Sequence, residues 1–101
     1  MSTTNQDVAQ TILAQLGGGK FLAMTSAKNL VSGDRMLQMK IGRNSKKVTN
    51  VRIELTVDDT YTVAFYKIRG TNIIKLAEVE NVYADQLRNT FTANTGLSVS
   101  L

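Results

Sequence analysis

The sequence predicts an α+β fold: an N-terminal helix, about five strands in a mostly antiparallel meander sheet, and a C-terminal helix packed on the sheet. Three observations carry that reading. Apolar residues recur at helical spacing near both ends, at Val8, Ile12, Leu13 and Leu16 and again at Val82, Tyr83, Leu87 and Phe91. Between them, apolar and polar residues alternate with the period of two that a half-buried strand requires. The connections are short, which suits hairpins rather than the long crossovers of parallel strands. A chain of 101 residues makes a single domain, 1–101.

The first helix is placed at about residues 5–16. Thr4-Asn5-Gln6-Asp7 has the Ser/Thr-x-x-Asp/Glu spacing of a capping box, in which a hydroxyl and a carboxylate take up free amide N–H groups. Gly17 stands where a left-handed C-cap belongs. FLAMT, residues 21–25, has the length and composition of a first strand, and turns are expected around Leu30 and Val31. Leu37, Met39 and Ile41 then alternate with Met36, Gln38 and Lys40 as a second strand. VRIELTV follows, with Val51, Ile53, Leu55 and Val57 inward. YTVAFYKI is apolar or aromatic on both faces, which predicts a central strand covered on both sides. IIKLAEV is the fifth strand. Asn81 caps the second helix, Gly96 ends it, and Leu97, Val99 and Leu101 are expected to pack down.

The run LGGGKFLAMTSAK has the vocabulary of a phosphate-cradling loop but neither its spacing nor its context. A P-loop needs a glycine five residues before its Gly-Lys pair and a hydroxyl after the lysine; here Ala14 and Phe21 hold those places. The glycines also follow a helix, where a P-loop follows a strand and opens a helix. They read as helix punctuation, with Lys20 and Lys28 available to a basic surface.

Composition excludes much chemistry. With 43% apolar and 20% charged residues the chain is globular rather than disordered. No apolar run approaches the ~18–20 residues of a membrane span. MSTTNQDVAQ lacks the basic and apolar stretches of a secretory signal, so a cytoplasmic location and no membrane partner are expected. The absence of His and Cys removes the commonest general acid–base group and the usual zinc ligands. An enzyme is not expected, and neither is a cofactor. Asp58-Asp59 reads as turn chemistry; Glu78 and Glu80 share a strand face but are too few for a metal site, and Lys75 is a natural pairing partner.

One segment points further. Arg35, Lys40, Arg43, Lys46, Lys47 and Arg52 supply six of the twelve basic residues with no acid between Arg35 and Arg52, in a protein whose net charge is +4. On the predicted hairpin, Lys40 and Arg52 point away from the core and Arg43, Lys46 and Lys47 lie in the connecting loop, a layout suited to a phosphate backbone. These six are the candidate nucleic-acid-binding residues. Tyr61 and Tyr66, with Lys67 and Arg69 beside them, are candidate stacking partners, although tyrosine on a central strand is more often core.

The segments ILAQLGGGKFLAMTSAKNLV, VRIELTVDDTYTVAFYKIRG and VYADQLRNTFTANTGL resemble small uncharacterised proteins of bacteriophages and bacterial mobile elements, over about Ile12 to Leu101. That resemblance implies a cytoplasmic accessory protein and transfers no functional residue, because the group has no established activity. The order of four strands and a helix over 35–94 is also similar, in topology alone, to the single-strand-binding fold of the transcriptional coactivator and Whirly proteins. The function expected is thus an accessory nucleic-acid-binding protein, on single- or double-stranded nucleic acid, as a monomer or homodimer. The alternative is a protein-interaction module inhibiting a host or defence protein, with the basic face docked on an acidic partner.

Overall fold

The computed structural model describes residues 5–33 and 35–97. Two helices, α1 (Asn5–Leu16) and α2 (Gly18–Thr25), precede strands β1 (Lys28–Gly33), β2 (Met36–Lys40), β3 (Asn50–Leu55), β4 (Tyr61–Arg69) and β5 (Asn72–Val82). A 3-10 turn at Ala84–Gln86 leads into the last helix, α3 (Leu87–Thr95). The strands pair antiparallel in sequence order, β1-β2-β3-β4-β5, so the sheet is a pure meander. The α+β class, the five strands and the helix at each end all match the sequence reading.

One face of the sheet carries the core. Leu37 pairs with Ile53 and Met39 with Val51; Val51 in turn pairs with Phe65, and Ile53 with Val63. All are buried, against Val8, Ile12 and Leu16 of α1, Phe21 of α2 and Leu87 and Phe91 of α3. Phe21 and Phe91 meet edge to face, with ring centroids 5.0 Å apart, which joins α2 to α3 beneath the sheet. Among the described residues no helix covers the other face; its middle is polar, with Gln38, Arg52, Glu54 and Thr62, while Val31 and Ile73 are exposed on its two edge strands.

Several local expectations change. FLAMT is helical, not a strand: Phe21 and Thr25 are buried four residues apart, and the Thr25 hydroxyl donates back to the Phe21 carbonyl at 2.8 Å. The first strand lies later, at Lys28–Gly33, where turns were expected, and it is exposed almost throughout. Val57 projects from the β3–β4 turn at 91% exposure instead of facing inward. β4 is next to the edge with β3 at the centre; its Tyr61, Val63 and Phe65 are buried under the helices, while Thr62, Ala64 and Tyr66 face the open side. Cover on both sides is therefore absent, and Ala64 is buried by its strand neighbours. Asn81 lies within β5 at φ 58 rather than capping a helix, and Tyr83 precedes the 3-10 turn, its N–H bonded to Gln86 Oε1 at 3.1 Å. Gly96 does cap α3 in the left-handed region, at φ 78. Leu97 packs against the core, whereas Thr4, Val99 and Leu101 lie outside the described residues.

Candidate nucleic-acid interface

A meander sends alternate connections to opposite ends of its sheet. The β2–β3 loop (41–49) and the β4–β5 turn therefore share one end with the start of β1, and the β1–β2 and β3–β4 turns share the other. This parity sorts the charges. Lys28, Lys40, Arg43, Lys46, Lys47, Lys67 and Arg69 fall at the first end; Glu54, Asp58, Asp59, Glu80 and Asp85 fall toward the second, together with one cation, Arg35.

At the basic end, Lys40, Arg43, Lys47, Lys67 and Arg69 line a single groove of about 510 Å³ with Ile41, Gly42, Asn44, Val48 and Thr49. No carboxylate among the described residues borders it. Among the described residues none of the five cations is ion-paired, and ion pairs form only at Arg52–Glu54 (3.2 Å) and Lys75–Glu78 (2.9 Å). Three of the six sequence candidates, Lys40, Arg43 and Lys47, thus stand beside Lys67 and Arg69, which come from a strand two places along the chain.

The loop that presents Arg43 and Lys47 is held by neutral groups. Asn44 clamps it, donating from Nδ2 to the carbonyls of Gly42 (2.9 Å) and Val48 (2.7 Å) and accepting the Val48 N–H on Oδ1 (3.0 Å). The Gly42 N–H donates to the Thr25 carbonyl at 2.8 Å, and a Cβ on Gly42 would come within 2.9 Å of Ser26, so only glycine lets the loop approach the end of α2 so closely. On the other flank Ser45 sits against the Gly96 cap of α3, where any side chain would collide with it. Thr49 completes the attachment: its N–H donates to the Tyr66 carbonyl and its hydroxyl accepts the Ile68 N–H, both at 2.8 Å.

The remaining candidates are placed elsewhere. Lys46 borders a separate hollow with Leu76, Ala77, Ala93 and Asn94 on the helix side. Arg52 lies in the middle of the open face beside Glu54. Arg35 is at the opposite end, where its Nε and Nη2 donate to the carbonyls of Leu55 (3.4 Å) and Thr56 (3.3 Å) and its own carbonyl accepts the Leu55 N–H (2.8 Å). It ties the β1–β2 turn to β3 and does not join the basic groove. Asp58 and Asp59 are turn residues as expected: Asp59 is left-handed at φ 61, and both amides donate to Thr56 oxygens. Tyr61 is core, and burial raises its phenol pKa, with Asp59 adding to the shift and Gln15 opposing it. Lys75 is held protonated more firmly than usual by its hydrogen bond to Glu78.

Lys67 and Arg69 are the residues that reading along the chain left out of the site. Their signal was present in the meander's parity, which brings alternate turns together. No helix among the described residues is long and apolar enough to cross a membrane. No protein-family model matches the chain, and neither a curated protein nor a solved structure matches it. The geometry stands alone.

Proposed function

We propose that this protein binds nucleic acid through its phosphate backbone, using the basic end of the sheet. The observation that supports it is the groove in which Lys40, Arg43, Lys47, Lys67 and Arg69 converge with no acid or ion-pair partner among the described residues. Clustering five like charges is unfavourable for the free protein, and a polyanion relieves it while releasing its own condensed counterions. The loop is pinned at Gly42, Asn44 and Ser45, so little ordering opposes binding.

Titration of labelled oligonucleotides at rising salt tests this. Each phosphate contact contributes about −0.7 to the logarithmic salt slope on single strands and about −0.9 on duplex. The triple variant Arg43→Gln/Lys47→Gln/Arg69→Gln should weaken binding about 100-fold or more and flatten the slope by about two units. Absence of salt-sensitive binding by the unaltered protein at low ionic strength overturns the reading.

A second reading draws on the apolar residues Ile73, Ile74 and Leu76 exposed on β5, which a phosphate backbone does not use. In it the protein docks on an acidic protein partner as an inhibitor. This takes over if oligonucleotides fail to bind while a nuclease-treated bacterial lysate yields a stoichiometric acidic protein whose capture the triple variant abolishes.

A further inference from the structure

The open face of the sheet carries its own pattern, and the register makes it readable. Lys28 pairs with Lys40, Lys40 with Asn50, Asn50 with Tyr66 and Tyr66 with Lys75. Cross-strand partners share a face, so these five side chains form one row across all five strands, four spacings or about 19 Å long. The row runs along the margin of the open face nearest the basic groove, and Lys40 belongs to both. Deeper in, the side chains change character. Arg52, Glu54, Thr62, Ala64, Lys75 and Glu78 surround a hollow of about 210 Å³ with Tyr66 in its wall. Ala64, a methyl group in the middle of the sheet, leaves that space open.

We propose that the ligand is a single-stranded nucleic acid lying along this row, its phosphates on the Lys28–Lys40 margin and a base stacked on Tyr66 in the hollow over Ala64. The inference rests on the phosphate-binding reading and adds the strand type to it. Three features select a single strand. Tyr66 is half-buried in the wall of the hollow, where its ring is placed to stack an unpaired base, and duplex bases are already stacked and out of its reach. The hollow is rimmed by two ion pairs, Arg52–Glu54 and Lys75–Glu78, whose donors and acceptors suit base edges. Asn50 accepts the Thr49 hydroxyl on Oδ1 at 2.7 Å and keeps its amide N–H groups for a base. The carboxylates Glu54 and Glu78 repel phosphates but not bases, so the face orients the strand with its backbone toward the basic end. A duplex, with phosphates on both sides of its bases, has no such placement.

The test compares a labelled single-stranded DNA, a single-stranded RNA and a duplex of one sequence, each about 12 nucleotides long. Preference for either single strand over duplex is expected, and the DNA and RNA arms decide which one. Tyr66→Leu should weaken single-strand binding about tenfold while leaving the salt slope unchanged, and Tyr66→Phe should retain it. As a check independent of any variant, an oligonucleotide carrying a fluorescent base analogue should be quenched when the unaltered protein binds. Duplex binding as tight as single-strand binding, or salt-sensitive binding with no quenching and no loss in Tyr66→Leu, overturns the inference and leaves the phosphate reading standing. No salt-sensitive binding to any of the three removes the phosphate reading itself.

Discussion

The two ends of this sheet are built from the same kinds of residue put to opposite uses. At the acidic end, side chains serve their own backbone. Thr56 donates to the Thr60 carbonyl and accepts the Asp58 N–H, while Arg35 spans from the β1–β2 turn to the carbonyls of Leu55 and Thr56. At the basic end that service falls to neutral residues, Asn44 and Thr49, and the cations of the groove have no ion-pair partner among the described residues. A charged side chain consumed by the fold carries little information about function. One held in place by others and left without a partner carries a good deal more.

The largest effect expected from this contrast comes from a neutral residue. Asn44→Ala removes three hydrogen bonds from the β2–β3 loop and leaves the Val48 amide and two carbonyls to find water. A loss of about 2–3 kcal/mol follows, a large share of the ~5–15 kcal/mol that holds a domain of this size. Urea unfolding measures it, and oligonucleotide affinity should fall with it because Arg43 and Lys47 lose their positions. Unchanged stability would mean that the loop is held by Gly42 and Ser45 alone.

Next comes a comparison of two arginines drawn from the same basic segment. Arg35→Ala should cost about 1–2 kcal/mol of stability, because two part-buried carbonyls lose a charged donor, and should leave oligonucleotide affinity intact. Arg43→Ala should do the reverse, changing stability by less than about 0.5 kcal/mol and weakening binding. If both variants lose affinity equally, the polarity of the sheet has no bearing on ligand binding.

That pair also marks where the sequence was legible. The run from Arg35 to Arg52 was visible as charge, but charge does not reveal whether a side chain is engaged by a carbonyl twenty residues away. β2 and β3 were readable because one face packs on helices and the other does not, which imposes alternation. β4 was readable as a strand but not as one covered on a single side, because Ala64 and Tyr66 put apolar and aromatic groups on its open face. β1 was not, because Lys28–Gly33 is an edge strand exposed almost throughout and has no buried face to alternate. FLAMT misled because a five-residue apolar run suits either period; the helical signal was the spacing of Phe21 and Thr25, the two positions of α2 that are buried. Tyr66 could be separated from Tyr61 only by register. Its pairing with Asn50 and Lys75 puts it on the open face, whereas Tyr61 pairs with Leu55 and Val82 over the core.

The smallest effect concerns whether the acidic end reaches across the sheet at all. Asp58 and Asp59 are separated from the basic groove by the length of β3, six residues or about 20 Å. A pair of unit charges at that distance interacts by about 0.2 kcal/mol in water, and the screening length at physiological salt is about 8 Å. Asp58→Asn/Asp59→Asn should therefore change oligonucleotide affinity less than about twofold near 0.15 M salt. Stability should hold as well, since asparagine accepts the left-handed backbone of Asp59. Near 0.01 M salt the screening length grows to about 30 Å, which spans the sheet, and the same variant should then bind a few-fold tighter, mainly through faster association. An effect of equal size at both salt concentrations would show that the acidic turn touches the ligand, placing part of the site at the wrong end of the sheet for the proposed row.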